Sequence, residues 1–320
     1  MENNNKNKYM ILSFITIITI EIVILVLMLN INFFDNKKSD IIVSDSSDLY
    51  NAAPVSITEL DSSHTVLISE TQSTDSSNIV TQEFEDGYYI GEKNLKIPLL
   101  IYHAFDDVLP KNDTWNLYVT VDRFEENIKT LLDDGYHFIT FDDLYEYSNG
   151  NKKLPEKNII ITIDDGYKNN YTKAYPILQK YNVKANIFII TDYRGNEYMS
   201  YDEIREMYQS GLVKFYSHGK QHIDYTSISV SQLKKDILES HEELERELGD
   251  EILKVFAYPS GISNTQTRNA LKSIGFDIQV LTKYGTVNTS RNIKLTELGR
   301  IRVNDTTTGS SIIKTINNSK

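Results

Sequence analysis

The amino-acid sequence predicts an α/β fold with a parallel sheet, favouring a barrel, preceded by one transmembrane helix and a polar linker. Short apolar segments alternate with amphipathic segments over about 210 residues from Lys96 onward, as in α/β proteins. Glycines stand where the helices of this pattern should end, at Gly135, Gly211, Gly249 and Gly275. Several predicted strands end on polar side chains, and barrels of this class gather their chemistry at the carboxyl ends of the strands.

The first predicted element is a membrane anchor. Lys6 and Lys8 precede an apolar run from Tyr9 to Phe34, and a helix of about 20 apolar residues spans a bilayer core. A cleavable signal peptide has a shorter apolar region followed directly by a small-residue cleavage site, whereas Ala52-Ala53 lies far downstream. We therefore expect an uncleaved single-pass anchor that places the large carboxyl-terminal domain on the extracytoplasmic side of the cell membrane. A cleaved signal peptide is the alternative.

Composition divides the chain into three parts and excludes some function classes. Residues 1–35 hold a short cytoplasmic tail and the anchor, 36–94 form a Ser-, Thr- and Asp-rich linker expected to be disordered, and 95–320 form the folded domain. The net charge of −12 disfavours nucleic acid as a partner, because a phosphate backbone needs a basic surface. Because the chain has no cysteine, it can form neither a disulfide nor a cysteine-ligated zinc site.

The strands are predicted from short runs of β-branched and other apolar residues. In chain order they are Pro98–His103, His137–Phe141, Ile159–Asp164, Ala185–Ile190, Leu212–Ser217, Leu253–Tyr258, Phe276–Leu281 and Leu298–Val303. The helices are predicted from apolar residues that recur every three or four positions. They are Asp122–Asp134, Asp142–Tyr147, Tyr171–Tyr181, Tyr201–Gln209, Ser231–Leu248 and Thr265–Ile274. Ser200 and Glu203 have the spacing of a capping box, and Asp142-Asp143, which lead straight into a helix, are predicted to cap it.

Two adjacent acids, Asp164 and Asp165, end the third predicted strand, and Gly166 lets the backbone turn sharply after them. Neighbouring side chains on a strand point to opposite faces, so the two acids should do different jobs. We expect Asp165 to bind a metal ion and Asp164 to accept a proton as a general base. The alternative for Asp164 is a cap for the following helix.

His218 and His222 supply candidate metal partners for Asp165. On a helical turn, imidazoles at this spacing face the same way. Two histidines and one carboxylate leave open positions for water and substrate, as catalytic zinc sites require, although cobalt, nickel or iron also suits such a set. A divalent ion there would lower the pKa of its water toward about 7 and polarise a carbonyl. Alone, this spacing is also common among solvent-exposed histidines.

His103 ends the first predicted strand and is the histidine best placed to protonate a leaving group. His137 begins a strand, His241 lies in a long polar helix, and His64 lies in the linker. Those positions do not lead to the carboxyl edge of the sheet. A core or capping role is the alternative for His103.

With these motifs together, the chain resembles the NodB-homology polysaccharide deacetylases, carbohydrate esterase family four, from Lys96 to about Asn304. Four segments carry the resemblance: Thr162-Ile163-Asp164-Asp165-Gly166-Tyr167, Ser217-His218-Gly219-Lys220-Gln221-His222, Phe256-Ala257-Tyr258-Pro259-Ser260-Gly261 and Leu298-Gly299-Arg300-Ile301-Arg302-Val303. The second is similar to the family's His-Ser/Thr-x-x-His motif, with Gly219 in the hydroxyl position. The start, Tyr102-His103-x-Phe105, is most similar to the poly-N-acetylglucosamine deacetylase branch, in which an early histidine substitutes for a late catalytic one.

The resemblance implies a distorted (β/α) barrel of the NodB type, with residues 95–320 as its catalytic domain, and metal-dependent removal of acetyl groups from a glycan. It makes Asp164 the base, Asp165, His218 and His222 the metal ligands, and His103 the acid. The backbone N–H of Ser260 falls where the family's oxyanion donor lies, a contact worth about 2.7–4 kcal/mol in the transition state. Many members orient the base with an arginine in the third motif, where this chain has Ala257. Arg300 is predicted to supply that charge, with a plain structural ion pair as the alternative.

The substrate-binding predictions concern three aromatic residues. Ser260 replaces the family's usual aromatic residue before Gly261, and Tyr258 is predicted to take over its sugar-stacking role. Trp115 is predicted either to stack on a sugar or to be a buried anchor. Tyr167, next to the acid pair, is also assigned to substrate binding.

The function implied is a membrane-anchored, extracytoplasmic N-deacetylase that acts on N-acetylglucosamine residues of an extracellular or cell-wall polysaccharide. Its cofactor is expected to be a divalent metal ion, with zinc the first choice. Two alternatives remain: an O-acetyl glycan esterase that uses the same site, and a catalytically inactive glycan-binding protein on the same fold.

Overall fold

The computed structural model of the protein describes residues 95–288 and 294–319. Within these ranges, no helix is both long enough and apolar enough to cross a membrane. The anchor predicted for residues 1–35 and the linker predicted for residues 36–94 lie outside the described residues. Both therefore stay predictions, as does the boundary of the catalytic domain at residue 95.

Strands and helices alternate along most of the described chain. The strands are β1 (Lys96–Tyr102), β2 (Ala104–Asp106), β3 (Tyr118–Thr120), β4 (His137–Phe138), β5 (Asn158–Ile163), β6 (Ala185–Ile189), β7 (Val213–Ser217), β8 (Val255–Ala257), β9 (Ile278–Val280), β10 (Thr286–Asn288) and β11 (Ile301–Arg302). The helices are α1 (Val121–Asp133), α2 (Phe141–Ser148), α3 (Tyr175–Tyr181), α4 (Tyr201–Gln209), α5 (Val230–Leu248), α6 (Thr265–Lys272) and α7 (Gly309–Asn318). A π-helical turn, Asn170–Ala174, precedes α3.

The main sheet is parallel except at β10. Strands β1, β5, β6, β7, β8 and β9 lie side by side in that order. β10 pairs antiparallel with the start of β1, and β11 pairs parallel with its later half. Leu298, just before β11, forms a parallel bridge with Val280 of β9, so the last strand of the row is joined back to the first. The prediction of an α/β fold with a distorted barrel is thereby confirmed.

Alternate residues of the central strands pack into two different layers. In β5, Ile159, Ile161 and Ile163 belong to a cluster shared with helices α1, α3, α4 and α7. Ile160 instead packs in a second cluster that includes Phe141 and other residues of α2. Every residue of β5 is buried, which is typical of a parallel strand covered on both faces. Side chains at the carboxyl ends of these strands therefore project from a rigid scaffold.

Several predicted elements differ in extent from the observed ones. The strand predicted at His137–Phe141 ends at Phe138, because Thr140 caps α2 in a capping box with Asp143. The strand predicted at Leu298–Val303 is reduced to the two residues of β11, and the helix predicted at Tyr171–Tyr181 begins with the π-helical turn. Strands β2, β3 and β10 were not predicted, because three residues are too few to show an alternating pattern. Helix α7 was also missed.

The capping box predicted at Ser200 and Glu203 is confirmed, and of the pair predicted to cap α2, Asp143 does so. Ser200 accepts a hydrogen bond from the Glu203 N–H, and the Glu203 carboxylate accepts one from the Ser200 N–H, so the capping box forms at the start of α4. Asp143 plays the reciprocal role for Thr140. Asp142 lies in the first turn of α2 and accepts a hydrogen bond from the Tyr216 hydroxyl at 2.5 Å. The similar-looking acid pair at 142–143 is therefore structural, unlike the pair at 164–165.

Candidate active site

The residues predicted to carry out the chemistry come together at the carboxyl edge of the barrel. His103 directly follows β1, the pair Asp164-Asp165 follows β5, His218 follows β7, and the turn containing Ser260 follows β8. Because neighbouring parallel strands end at one edge, residues far apart in sequence become neighbours there. Arg300 differs, since it precedes β11 and reaches this edge with its long side chain.

Asp165, His218 and His222 form a group that could hold a metal ion: one ligand atom of each lies within 4.8 Å of the others. Oδ1 of Asp165 is 3.4 Å from Nε2 of His218 and 3.6 Å from Nε2 of His222. This oxygen is buried and has no hydrogen-bond partner, which is costly unless a ligand completes it. The predicted three-residue set therefore fits a divalent cation.

The backbone around two of these ligands is in a conformation that non-glycine residues rarely adopt. Asp165 has φ of 76° and His222 has φ of 53°. Such backbone costs about 1–3 kcal/mol per residue and persists where the surrounding structure imposes it, often at functional sites. Gly166, with φ of 77°, completes the sharp turn after β5, as expected from the sequence. The strain is consistent with side chains held for a ligand.

The ring of His218 is fixed in one orientation. Its Nδ1 lies 2.7 Å from the carbonyl oxygen of Ala257 and donates a hydrogen bond to it, which leaves Nε2 directed at Asp165. A backbone acceptor on the second ring nitrogen is the usual arrangement for a metal-binding histidine, because it fixes the tautomer. Ala257 thus contributes through its backbone carbonyl.

Electrostatics at this point favour a positive charge among the three ligands. Burial alone would lower the pKa of His218, but the neighbouring Asp165 and Asp164 carboxylates outweigh it and raise that pKa. Burial opposes ionisation of Asp165, yet His218 and His103 hold its pKa below the usual value. The pKa of His222 is lowered, first by burial and then by His218. The negative carboxylates of Asp164 and Asp165 would likewise stabilise a divalent cation held by the three side chains.

Asp164 does not belong to this three-residue group, because its carboxylate forms an ion pair with Arg300 instead. The guanidinium nitrogens of Arg300 each lie 2.7 Å from one oxygen of Asp164, and both side chains are buried. Arg300 also donates to Thr162 Oγ1 and to the Leu281 carbonyl, both at 3.0 Å. Burial would raise the pKa of Asp164, but Arg300 outweighs it and holds the pKa well below its usual range. The positive charge of Arg300 therefore lies next to Asp164, the predicted base, as expected from the sequence.

His103 lies beside both acids, with its carbonyl held by the Asn170 amide at 2.7 Å. Burial lowers the pKa of the imidazole, while the charges of Asp164 and Asp165 partly oppose this. The neutral form is thus favoured in the resting site. A proton that His103 delivers must therefore arrive during turnover. Asn170, in the π-helical turn, was not singled out in the sequence, because no local pattern links it to His103.

The turn after β8 presents the backbone of Ser260 at the same edge. Ser260 has φ of 55° and is solvent-exposed, and its carbonyl accepts a hydrogen bond from Thr282 at 3.3 Å. Gly261 is required here, since a Cβ would lie 2.0 Å from Thr282 Oγ1. The close approach of residues after β9 fixes the turn. Its role as an oxyanion donor stays a prediction.

Two of the predicted substrate-binding aromatics are placed as follows. Tyr258 is fully buried, and its hydroxyl donates to Gln279 at 2.8 Å within the outer core. A ring in that position cannot stack on a sugar, so the structure contradicts this assignment. Every residue of β8 is buried, so the sequence did not reveal which way Tyr258 points. Trp115 is 75% exposed and is not a buried anchor, which leaves sugar stacking as its predicted role.

Tyr167 belongs to an aromatic group beside the acids that the sequence did not reveal. Its ring stacks on Tyr198 at 5.4 Å, and Tyr193 meets Tyr198 edge-on at 5.1 Å. Burial and the nearby Asp165 carboxylate raise the pKa of Tyr167 well above its usual value, so the hydroxyl stays protonated. Tyr193 also donates to the Gln221 carbonyl in the loop between the two histidine ligands. These half-buried rings form one wall of the site.

Comparison with known proteins gives consistent results. Residues 151–278 match the profile of the family described as polysaccharide deacetylase. YxkH of Bacillus subtilis (strain 168), a protein named for this family, is 31% identical over 221 residues, which cover 69% of this chain and 76% of the relative. A poly-β-1,6-N-acetyl-D-glucosamine N-deacetylase of Staphylococcus aureus (strain MRSA252) is 30% identical over 184 residues, or 53% of this chain and 61% of that protein.

Among solved structures, the deacetylase PplD of Streptococcus pyogenes, determined in complex with acetate, superposes with a TM-score of 0.64 at 28% identity. The superposition covers 70% of this chain and 99% of the PplD chain. Nearly the whole PplD chain therefore shares its fold with this protein.

Proposed function

The chain belongs to the polysaccharide deacetylase family, and from this premise we propose that it is a metal-dependent N-deacetylase of N-acetylglucosamine residues in an extracellular or cell-wall polysaccharide. One observation carries the proposal. The ligand atoms of Asp165, His218 and His222 converge on one point. A second carboxylate, that of Asp164, lies beside them and is held by two hydrogen bonds from Arg300. A metal-dependent hydrolase that cleaves an amide uses such a pairing of a metal site with a separate proton acceptor.

Each residue has a defined task in this reaction. Asp165, His218 and His222 would hold a divalent ion, which would supply Lewis-acid chemistry by polarising the acetyl carbonyl and acidifying water. Asp164, kept ionised by Arg300, accepts the proton of the attacking water. The Ser260 N–H donates to the oxygen that becomes negatively charged. The departing nitrogen needs one proton, which matches the one lost by the attacking water. His103, neutral at rest, takes up a proton during turnover and delivers it, because a neutral amine leaves far more readily than its anion.

The substrate assignment draws on the relatives. The chain spans 61% of the length of the S. aureus protein, whose name specifies poly-β-1,6-N-acetyl-D-glucosamine. We carry this substrate class to the present chain as part of the proposal. Exposed Trp115 and the aromatic wall with Tyr167 supply apolar faces for pyranose rings.

An acetate-release assay tests the function directly. Purified protein loaded with zinc is incubated with a β-1,6-linked N-acetylglucosamine oligomer, a peptidoglycan fragment and an O-acetylated glycan, each with and without a chelator. We expect acetate from the first substrate, loss of activity on chelation and recovery with zinc. Release from the O-acetylated glycan alone would favour the esterase alternative. Retained oligosaccharide binding with no acetate from any substrate would indicate an inactive binding protein.

The cellular location is a separate part of the proposal and rests on the apolar run at residues 9–34. We infer one membrane anchor with the catalytic domain on the extracytoplasmic side, where a polysaccharide of the cell surface is accessible. Protease added to intact cells should then degrade the domain while a cytoplasmic marker survives. Protection of the domain until the cells are lysed would refute this orientation.

A further inference from the structure

The loop that joins the two histidine ligands contains no side chain at its tightest point. Gly219, directly after His218, has φ of 81° and is buried. A Cβ at this position would lie 2.0 Å from the hydroxyl oxygen of Tyr225 and 2.9 Å from its Cζ. The hydroxyl of Tyr225 therefore fills the space that a side chain at residue 219 would need.

The Tyr225 hydroxyl is itself held by helix α5. It donates a hydrogen bond to Oδ2 of Asp236, and the same oxygen accepts the backbone N–H of Lys220 at 3.3 Å. Tyr225 is 1% exposed, and its ring meets Phe256 of β8 edge-on at 5.7 Å. One carboxylate thus connects the tyrosine, the ligand loop and the long helix.

The opposite side of the loop is fixed by backbone hydrogen bonds. The carbonyl of Gly219 accepts from Thr191 N, and that of Lys220 accepts from Asp192 N, both at 3.0 Å. The loop is therefore held by hydrogen bonds on both sides, with the segment after β6 and with helix α5. His218 has its own anchor through Ala257, whereas His222 is 32% exposed at the end of the loop with a strained backbone. Its position depends more strongly on the loop.

We propose that Tyr225 and Asp236 are positioning residues for the metal site, which hold the loop so that His222 reaches the point shared by Asp165 and His218. This inference rests on the metal site of the proposed function. Neither residue touches the ion or the substrate, and both act through the backbone of Gly219 and Lys220. Partners that orient metal ligands in this way typically change metal affinity about 10–100-fold when they are removed.

The test compares zinc affinity in two matched variants of the full chain. Tyr225→Phe removes the hydroxyl beside the loop. Tyr258→Phe removes a buried hydroxyl from the same core cluster, where Tyr258 also packs edge-on against Phe256 but bonds to Gln279. Zinc dissociation constants are measured by competition with a chelating dye, alongside thermal unfolding of the metal-free proteins. We expect about tenfold weaker zinc binding in Tyr225→Phe, with Tyr258→Phe close to wild type.

Two further measurements separate positioning from general stability. Asp236→Asn retains an acceptor for both donors, so its loss of zinc affinity should be smaller than that of Asp236→Ala. Amide hydrogen exchange at Lys220 should accelerate in Tyr225→Phe and not in Tyr258→Phe. If Tyr225→Phe fails to fold, the pair of Asp236 variants carries the same comparison.

The outcomes distinguish this inference from the proposed function. Equal zinc affinity in wild type and Tyr225→Phe, or equal losses in Tyr225→Phe and Tyr258→Phe, would overturn the positioning role while leaving the metal site intact. A wild-type protein that binds no zinc or other divalent ion would overturn both. Weaker binding confined to Tyr225→Phe and Asp236→Ala supports the inference.

Discussion

Arg300 and Asp164 form a buried two-point ion pair, with each carboxylate oxygen 2.7 Å from a different guanidinium nitrogen, although 136 residues separate them in the chain. The two hydrogen bonds engage both carboxylate oxygens, and the guanidinium charge keeps the acid ionised. Asp165, the next residue, faces the two histidines instead. Adjacent acids thus have distinct partners, which is the basis of the division of labour proposed for them.

Replacing the proposed base should separate chemistry from metal binding. In Asp164→Asn the proton acceptor is lost, and general-base catalysis contributes about 10²–10⁴-fold to a rate. We expect acetate release to fall by that factor while zinc content, measured by elemental analysis, stays at one ion per chain. The variant also leaves the Arg300 charge without its anion, which costs about 3–5 kcal/mol, so assays must be run where urea titration shows it folded. Wild-type turnover would refute the assignment of Asp164 as the base.

The pH dependence of activity should report the ion pair. Arg300 holds the pKa of Asp164 below its usual range against the opposing effect of burial. Arg300→Lys keeps the charge but loses the two-point geometry, so the pKa of Asp164 should rise toward its usual value. Because the base must be ionised, the acidic limb of the kcat/KM profile should move to higher pH. Arg205→Lys, in α4, is the control and should leave the limb in place. An unmoved limb in Arg300→Lys would mean that Asp164 is not the group that titrates.

His103 should matter most for substrates with poor leaving groups. In His103→Gln, deacetylation of an N-acetylglucosamine oligomer is expected to fall about 10²–10⁴-fold, because the amine leaves without a proton donor. An aryl acetate releases a stable phenolate and needs no such donor, so its hydrolysis should change little. Zinc content should be unaffected. Equal losses on both substrates, or loss of the metal, would assign His103 a different role.

Trp115 should act on binding rather than on chemistry. Its ring is exposed on the loop between β2 and β3, and Arg302 holds its carbonyl at 2.6 Å. An aromatic stacking contact is worth about 0.5–1.5 kcal/mol, or about two- to tenfold in KM. Trp115→Ala should raise KM for a pentasaccharide by that factor and leave kcat unchanged. Tyr284→Ala, another exposed aromatic residue, serves as the comparison. No change in KM at any chain length would remove Trp115 from the binding surface.

The sequence predicted the main fold and the candidate metal ligands because both have local signals. Ile159 to Gly166 combines a buried strand with two acids and a turn, and His218 and His222 have a recognisable spacing. The bond between Arg300 and Asp164 depends instead on the closure of the barrel at the two-residue strand β11, which has no local pattern of its own. The sequence could supply the arginine as a candidate but not its geometry.

The proposed positioning residues were not found from the sequence for the same reason. Tyr225 and Asp236 lie on different segments, and only the fold brings them against Gly219. Tyr258 shows the converse error, in which a residue correctly placed at a strand end points into the core. When both faces of a strand are buried, hydrophobic pattern gives no information on direction.

The capping acid Asp143 allows a prediction about stability that is independent of the active site. Burial would raise the pKa of Asp143, but its hydrogen bonds with Lys152 and the Thr140 backbone outweigh this, so the folded pKa lies below the ordinary value of 3.8. A carboxyl group with a depressed folded pKa stabilises the protein above its unfolded pKa and loses this contribution as pH falls through the folded pKa. The side chain is 8% exposed, so solvent screens it little.

We therefore expect Asp143→Asn to lower the free energy of unfolding by about 1.5–3 kcal/mol at pH 7, the usual range for hydrogen bonds to a charged group. The difference from wild type should persist at pH 5 and shrink below about pH 4, where the carboxylate of the unfolded chain is protonated. Urea unfolding at pH 7, 5 and 3 measures it. Asp202→Asn is the control, because that acid is 89% exposed in its pair with Arg205, and exposed pairs contribute about 0–1 kcal/mol. A deficit in Asp143→Asn that is equally large at pH 3 would show that packing, and not the charge, is responsible.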